Sequence, residues 1–111
     1  MELRTHVAVE LFVFLGLCLI LAPYSALVVA VAHFVPSIDY LMLTLSVGGR
    51  LHRKLFHNIF AGACVFVAVS LLSSPFLGAL CFANVLLHFA LDLPGKGIAV
   101  FYPFSDYRLR L

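Results

Sequence analysis

A chain of 111 residues has room for one domain, and at 64% hydrophobic residues, 11% charged residues and a mean hydropathy of +1.14 it lies far outside the soluble globular range. The net charge of +2 is too small to imply nucleic acid as a partner, and no stretch resembles a base-reading or stacking module. The composition identifies an integral membrane protein whose standing partner is the lipid bilayer, with residues 1–111 forming a single membrane-embedded domain.

In chain order, Thr5 is placed to cap a first helix over residues 6–22. Pro23-Tyr24-Ser25 breaks it in an uncharged turn. A second helix runs to about Phe34 and is stopped by Pro36, with Ala26 and Ala30 offering a face that a neighbour can approach closely. Leu41 to Val47 is apolar but too short to span, which suits an interfacial or re-entrant segment ending at Gly48-Gly49. A third helix is predicted from about His57 to Leu72, with a small-residue face at Ala61, Gly62 and Ala63. A fourth runs from about Phe76 to Leu93, after the uncharged turn Ser73-Ser74-Pro75 and before the stop at Pro94-Gly95. The predicted fold is an all-α integral membrane bundle of about four helices in two consecutive hairpins. Its arms of about 16–18 residues fall slightly under the ~20 needed to span a ~30 Å core. Cys18, Cys64 and Cys81 have no ligand-like spacing and read as small core residues.

Polar groups are scarce in this chain, so where they gather is informative. His6 lies 17 residues before Pro23 and Asp39 lies 16 after it; His57 lies 17 before Ser74, His88 lies 14 after it and Asp92 lies 18 after it. At ~1.5 Å per residue all five reach roughly the same level, some 20–27 Å from the turns, and the loop carries His52 there as well. Asn84, His88 and Asp92 follow an i, i+4, i+8 spacing that makes a polar stripe, and His6 with Glu10 repeats that spacing in the first helix. A carboxylate at membrane depth costs about 2.5–3.5 kcal/mol on insertion scales, so Glu10 must face the interior and have a partner, either His6 or a metal. A single intramembrane histidine is ordinarily a hydrogen-bonded packing residue, and His33 reads that way. Arg50, Arg53, Lys54 and Arg110 are by default interfacial snorkellers.

For His6, Asp39, His52, His57, His88 and Asp92, coincidence of level and ligand type points to metal binding. Histidine and carboxylate without thiolate suit Zn, Mn, Fe or Ni, with Zn the ordinary choice for hydrolysis. Six candidates exceed what one catalytic ion needs, so one or two ions fit the count.

Taken in order, Thr5-His6, Pro36-Ser37-Ile38-Asp39, His52-Arg53 with His57, His88 with Asp92, and Tyr102-Pro103-Phe104-Ser105 resemble the YdjM-like family of membrane-bound metal-dependent hydrolases, over nearly the whole chain. Through that family the chain is distantly similar to zinc-dependent phospholipase C and related nucleases. The resemblance implies metal-assisted hydrolysis of a phosphoester. It also implies ligand roles for His6, Asp39, His57, His88 and Asp92, with His52 as a ligand or a support for one, and Arg53 near the substrate. The chain departs from the family pattern at Ser37, Tyr40, Lys54, Phe56 and Asn58.

The expected function is therefore a membrane-bound hydrolase acting on a lipid, a lipid-linked or a phosphorylated small-molecule substrate. Glu10 or Asp92 would serve as general base, while Arg53 and Lys54 would hold the phosphate. The rival reading is a metal-binding membrane protein without catalysis, such as a small ion transporter or scaffold subunit. Arg4, Arg50, Arg53, Lys54, Lys96, Arg108 and Arg110 all lie on the site side of the hairpins, so the site and both termini are expected to face the cytoplasm.

Overall fold

The computed structural model describes residues 3–38, 56–94 and 97–111. The expectations placed on Asp39, His52, Arg53, Lys54 and the 41–47 segment lie outside the described residues. Within them the chain forms four α-helices: α1 (Leu3–Leu17), α2 (Pro23–His33), α3 (Ile59–Leu72) and α4 (Pro75–Asp92). A 3-10 turn, Val35–Ser37, follows α2. The described residues contain no β-strand, only an isolated antiparallel bridge between Ile98 and Leu109.

Two hairpins are present, but their turns precede the prolines instead of containing them. Pro23 and Pro75 occupy the first turns of α2 and α4, where a missing N–H costs nothing because no carbonyl is waiting for it. The first reversal is made over residues 18–22, where the N–H groups of Leu19 and Ile20 donate to the carbonyls of Gly16 and Leu17 three residues back and tighten the end of α1. Thr5 lies inside α1 and does not cap it. In the second hairpin both helices have side-chain caps. Asn58 Oδ1 accepts from Ala61 N–H at 2.9 Å, and Ser74 Oγ accepts from Leu77 N–H at 3.2 Å.

Helix α4 is the centre of the bundle: α3 packs along one side of it and α2 along another, and α1 lies against α2. The α3–α4 approach is set by two glycines. A Cβ on Gly62 would stand 2.9 Å from the Phe82 ring, and one on Gly78 would stand 2.7 Å from the Phe66 carbonyl oxygen. Val29, Ala32, Leu77, Cys81, Val85 and Phe89 fill the apolar core between the helices. Of the three cysteines only Cys81 is a core residue; Cys64 is exposed and Cys18 sits half-buried in the first reversal. Beyond α4 the chain folds back. Gly97 takes φ +73°, Ile98 and Leu109 exchange backbone hydrogen bonds, and Ile59 N–H donates to the Val100 carbonyl, which ties the C-terminal segment to the start of α3.

Among the described residues α4 alone is long and apolar enough to cross a membrane. Helices α1, α2 and α3, at 15, 11 and 14 residues, are shorter than the expected arms. Large apolar side chains nevertheless crowd the outside, including Phe12, Leu19, Ile20, Leu71, Leu72 and Phe76, several of them at the hairpin tips.

Candidate metal centre

The polar stripe of α4 faces inward. Asn84, His88 and Asp92 are all buried, at 5%, 1% and 1% exposure. Helix α1 is more telling, because the residues it buries are His6 and Glu10 while Val7, Leu11, Phe12 and Leu15 point outward. An amphipathic helix of a soluble protein does the reverse. The last residue of α2, His33, and the residue before the α3 cap, His57, are fully buried beside them.

The side chains meet at one end of the bundle. His57 Nε2 is 3.1 Å from Asp92 Oδ2, His88 Nε2 is 3.4 Å from the same oxygen, and the two nitrogens are 3.3 Å apart. His6 Nε2 is 3.3 Å from Asp92 Oδ1, and His6 Nδ1 is 3.2 Å from His33 Nε2. The His6 and His88 rings stack with centroids 4.2 Å apart. Asn84 supports the far side by donating to Glu10 Oε1 at 2.8 Å and to the Val29 carbonyl at 2.9 Å.

Among the described residues two groups have donor atoms within 4.8 Å of one another, His57–His88–Asp92 and His6–His33–His88. The first can be tested against coordination chemistry. Two ligand atoms held ~2.0–2.2 Å from a tetrahedral ion are about 3.3–3.6 Å apart. The edges of the His57–His88–Asp92 triangle are 3.1, 3.3 and 3.4 Å. Its donors are imidazole nitrogens and a carboxylate oxygen, the ordinary ligands of a divalent transition metal. The buried His88 Nδ1 also has no hydrogen-bond partner among the described residues. The residues fit an ion, and the buried His and Asp groups could hold one.

The sequence-predicted residues His6, His57, His88 and Asp92 are thus brought together. Asp39, His52, Arg53 and Lys54 lie outside the described residues, as stated above. Glu10, expected as a general base, faces His33 and Asn84, with its Oε2 3.0 Å from His33 Nδ1. His33, read from the sequence as a packing residue, belongs to one of the two groups. The missed signal was its level. Glu10 lies seven residues before the end of α1 and His33 ten after the start of α2, which puts them within about one helical turn of the same level.

A family model described as YdjM inner membrane protein matches residues 1–111. The chain belongs to that family. No curated protein and no solved structure matches it. Membership in the YdjM family implies a lipid bilayer around the chain, and this agrees with an α1 that buries its histidine and glutamate and exposes its leucines and phenylalanine.

Proposed function

We propose that this YdjM protein is a membrane-bound metal-dependent hydrolase acting on a phosphoester. The observation that carries the reading is the convergence of His57, His88 and Asp92 into a triangle whose edges lie within about 0.2 Å of tetrahedral values, inside a membrane protein. Zn is the ordinary ion for such ligands, with Mn, Fe and Ni also compatible. A divalent ion there supplies a water acidified towards neutrality and a positive charge for a phosphoryl oxygen. The protein's own part is to fix the donors, to take the proton of the attacking water on one of two buried carboxylates, Asp92 or Glu10, and to hold the phosphate. Arg53 suits that last task as a planar fork and Lys54 as a point charge. A guanidinium cannot ligate a cation and is repelled by one, so Arg53, next in sequence to His52 and four residues before His57, makes sense when an anion lies between it and an ion.

A lipid or lipid-linked substrate is supported by an open groove of about 540 Å³ lined by Val35, Asn58, Ala61, Val65 and Ala68 among others. It starts next to His57 and follows α3 for some 15 Å at ~1.5 Å per residue, with a lining suited to an acyl chain. Arg4, Arg108 and Arg110 belong to the same end as the cluster, and by the positive-inside tendency that end is cytoplasmic.

One observation favours a second reading. His33, His57, His88 and Asp92 are all at 1% exposure or less, which suits an ion held without turnover in a small ion transporter or scaffold subunit. Hydrolysis of a generic phosphodiester by detergent-purified protein with added Zn or Mn separates the two. Arg53→Ala should keep its metal and lose about 10²-fold in turnover, the scale of removing one positioned donor at a developing charge. Absence of metal-stimulated turnover in the unaltered protein would leave the non-catalytic reading standing.

A further inference from the structure

We infer that His6 and His33 form a second metal position, completed by His88 and held in register by Glu10; the inference rests on the metal reading above. The argument is an accounting of ring hydrogens. A neutral imidazole has one N–H and one lone pair. His33 Nδ1 faces only acceptors, the Asn84 carbonyl oxygen at 3.2 Å and Glu10 Oε2 at 3.0 Å, so its hydrogen sits there and Nε2 carries the lone pair. His6 Nε2 faces Asp92 Oδ1 at 3.3 Å, so its hydrogen sits there and Nδ1 carries the lone pair. The two remaining nitrogens are 3.2 Å apart and buried. Two lone pairs face each other at the spacing expected of two nitrogens on one ion, about 3.3 Å.

Each of these rings is backed by an oxygen, His6 by the Asp92 carboxylate and His33 by the Asn84 carbonyl, with the Glu10 carboxylate 3.0 Å from the same His33 nitrogen. This is the arrangement that fixes the tautomer and orientation of a metal-binding histidine and raises its basicity. Glu10 is itself anchored, since Asn84 donates to its Oε1, while its Oε2 is buried without a hydrogen bond of its own because the His33 N–H is directed at the Asn84 carbonyl. The third donor is His88, which has a donor atom within 4.8 Å of both His6 and His33. Its Nε2 is engaged with His57 and Asp92, and its Nδ1 is buried without a hydrogen-bond partner among the described residues, so Nδ1 is the atom assigned to the second ion. Serving two ions takes the last N–H proton from His88, so the second ion loads with proton release. Glu10 is a positioning residue in this scheme, acting through His33.

The test is a Zn2+ titration of chelator-stripped, detergent-purified protein, with bound ion counted by elemental analysis and helix content checked by circular dichroism. The unaltered chain should bind two ions per chain, and His33→Ala should bind one. Glu10→Gln keeps the size of the side chain and removes its charge. It should still bind two ions, with one of them weakened by about 10- to 100-fold, the usual effect of losing a carboxylate behind a ligand histidine. A single ion in the unaltered chain that persists in His33→Ala would overturn the second position while leaving the His57–His88–Asp92 ion and the proposed function intact. No bound ion at all would overturn both. Equal affinities in Glu10→Gln and the unaltered chain would remove the positioning role of Glu10.

Discussion

In the second hairpin α3 and α4 meet through glycines, Gly62 against Phe82 and Gly78 against the Phe66 carbonyl, and each helix starts on a side-chain cap. In the first hairpin α2 starts without a side-chain cap, and Gly16 of α1 has no neighbour within 4 Å of its missing Cβ. Besides the packing of Leu17 against the core, α1 is joined to the rest by polar ties: Glu10 to Asn84, His6 to Asp92, and His6 to His33. The second hairpin is therefore held by close packing, α2 by its apolar contact with α4 through Val29 and Ala32, and α1 in good part by the cluster that could bind metal. In hydrocarbon, apolar surface supplies no driving force between helices, so close contact and polar ties must do it. A bound ion would then clamp α1 and α2 onto α4.

The largest effect is expected from Gly78→Val. Its Cβ would meet a backbone oxygen that cannot move without breaking α3, so the cost should reach about 3 kcal/mol. Thermal unfolding in detergent should show the whole chain lost, because α4 is the element on which α2 and α3 pack. Next comes Asn84→Leu, which removes the donor to Glu10 Oε1 and to the Val29 carbonyl and should cost about 2–3 kcal/mol. Limited proteolysis should open the first hairpin before the second. Simultaneous cleavage of both would contradict the division drawn between them. Ser74→Ala removes one cap far from the cluster and should cost about 1 kcal/mol with no change in metal content.

Much of this arrangement was legible in spacing. The i, i+4, i+8 run of Asn84, His88 and Asp92 specified one face of one helix, and all three are buried. The equal reach of His57 and Asp92 from the second turn foretold their contact, since that turn, at Ser73 and Ser74, lies within a residue of where the sequence put it. The first turn did not. Pro23 opens α2 and the reversal lies before it, and the pairing of Glu10 with His33, three residues out of step about either point, is not given by spacing. The first helix, expected to reach residue 22, ends at Leu17 for the same reason. An apolar tract marks what can enter a bilayer, whereas the backbone hydrogen bonds that end a helix, as at Gly16 and Leu17, leave no mark in hydropathy. The division of the ligands into two groups that share His88 depends on ring orientation, which spacing does not encode.

The central claim, a divalent ion held by imidazole and carboxylate at the end of α4, is tested most directly by X-ray absorption at the metal edge of detergent-purified protein. The expected spectrum shows a nitrogen and oxygen shell at ~2.0–2.2 Å with imidazole back-scattering and no sulfur, and the signal disappears or drops sharply in His88→Ala. A protein that is folded and free of metal, or a shell containing sulfur at ~2.3 Å from Cys18 or Cys64, would contradict it.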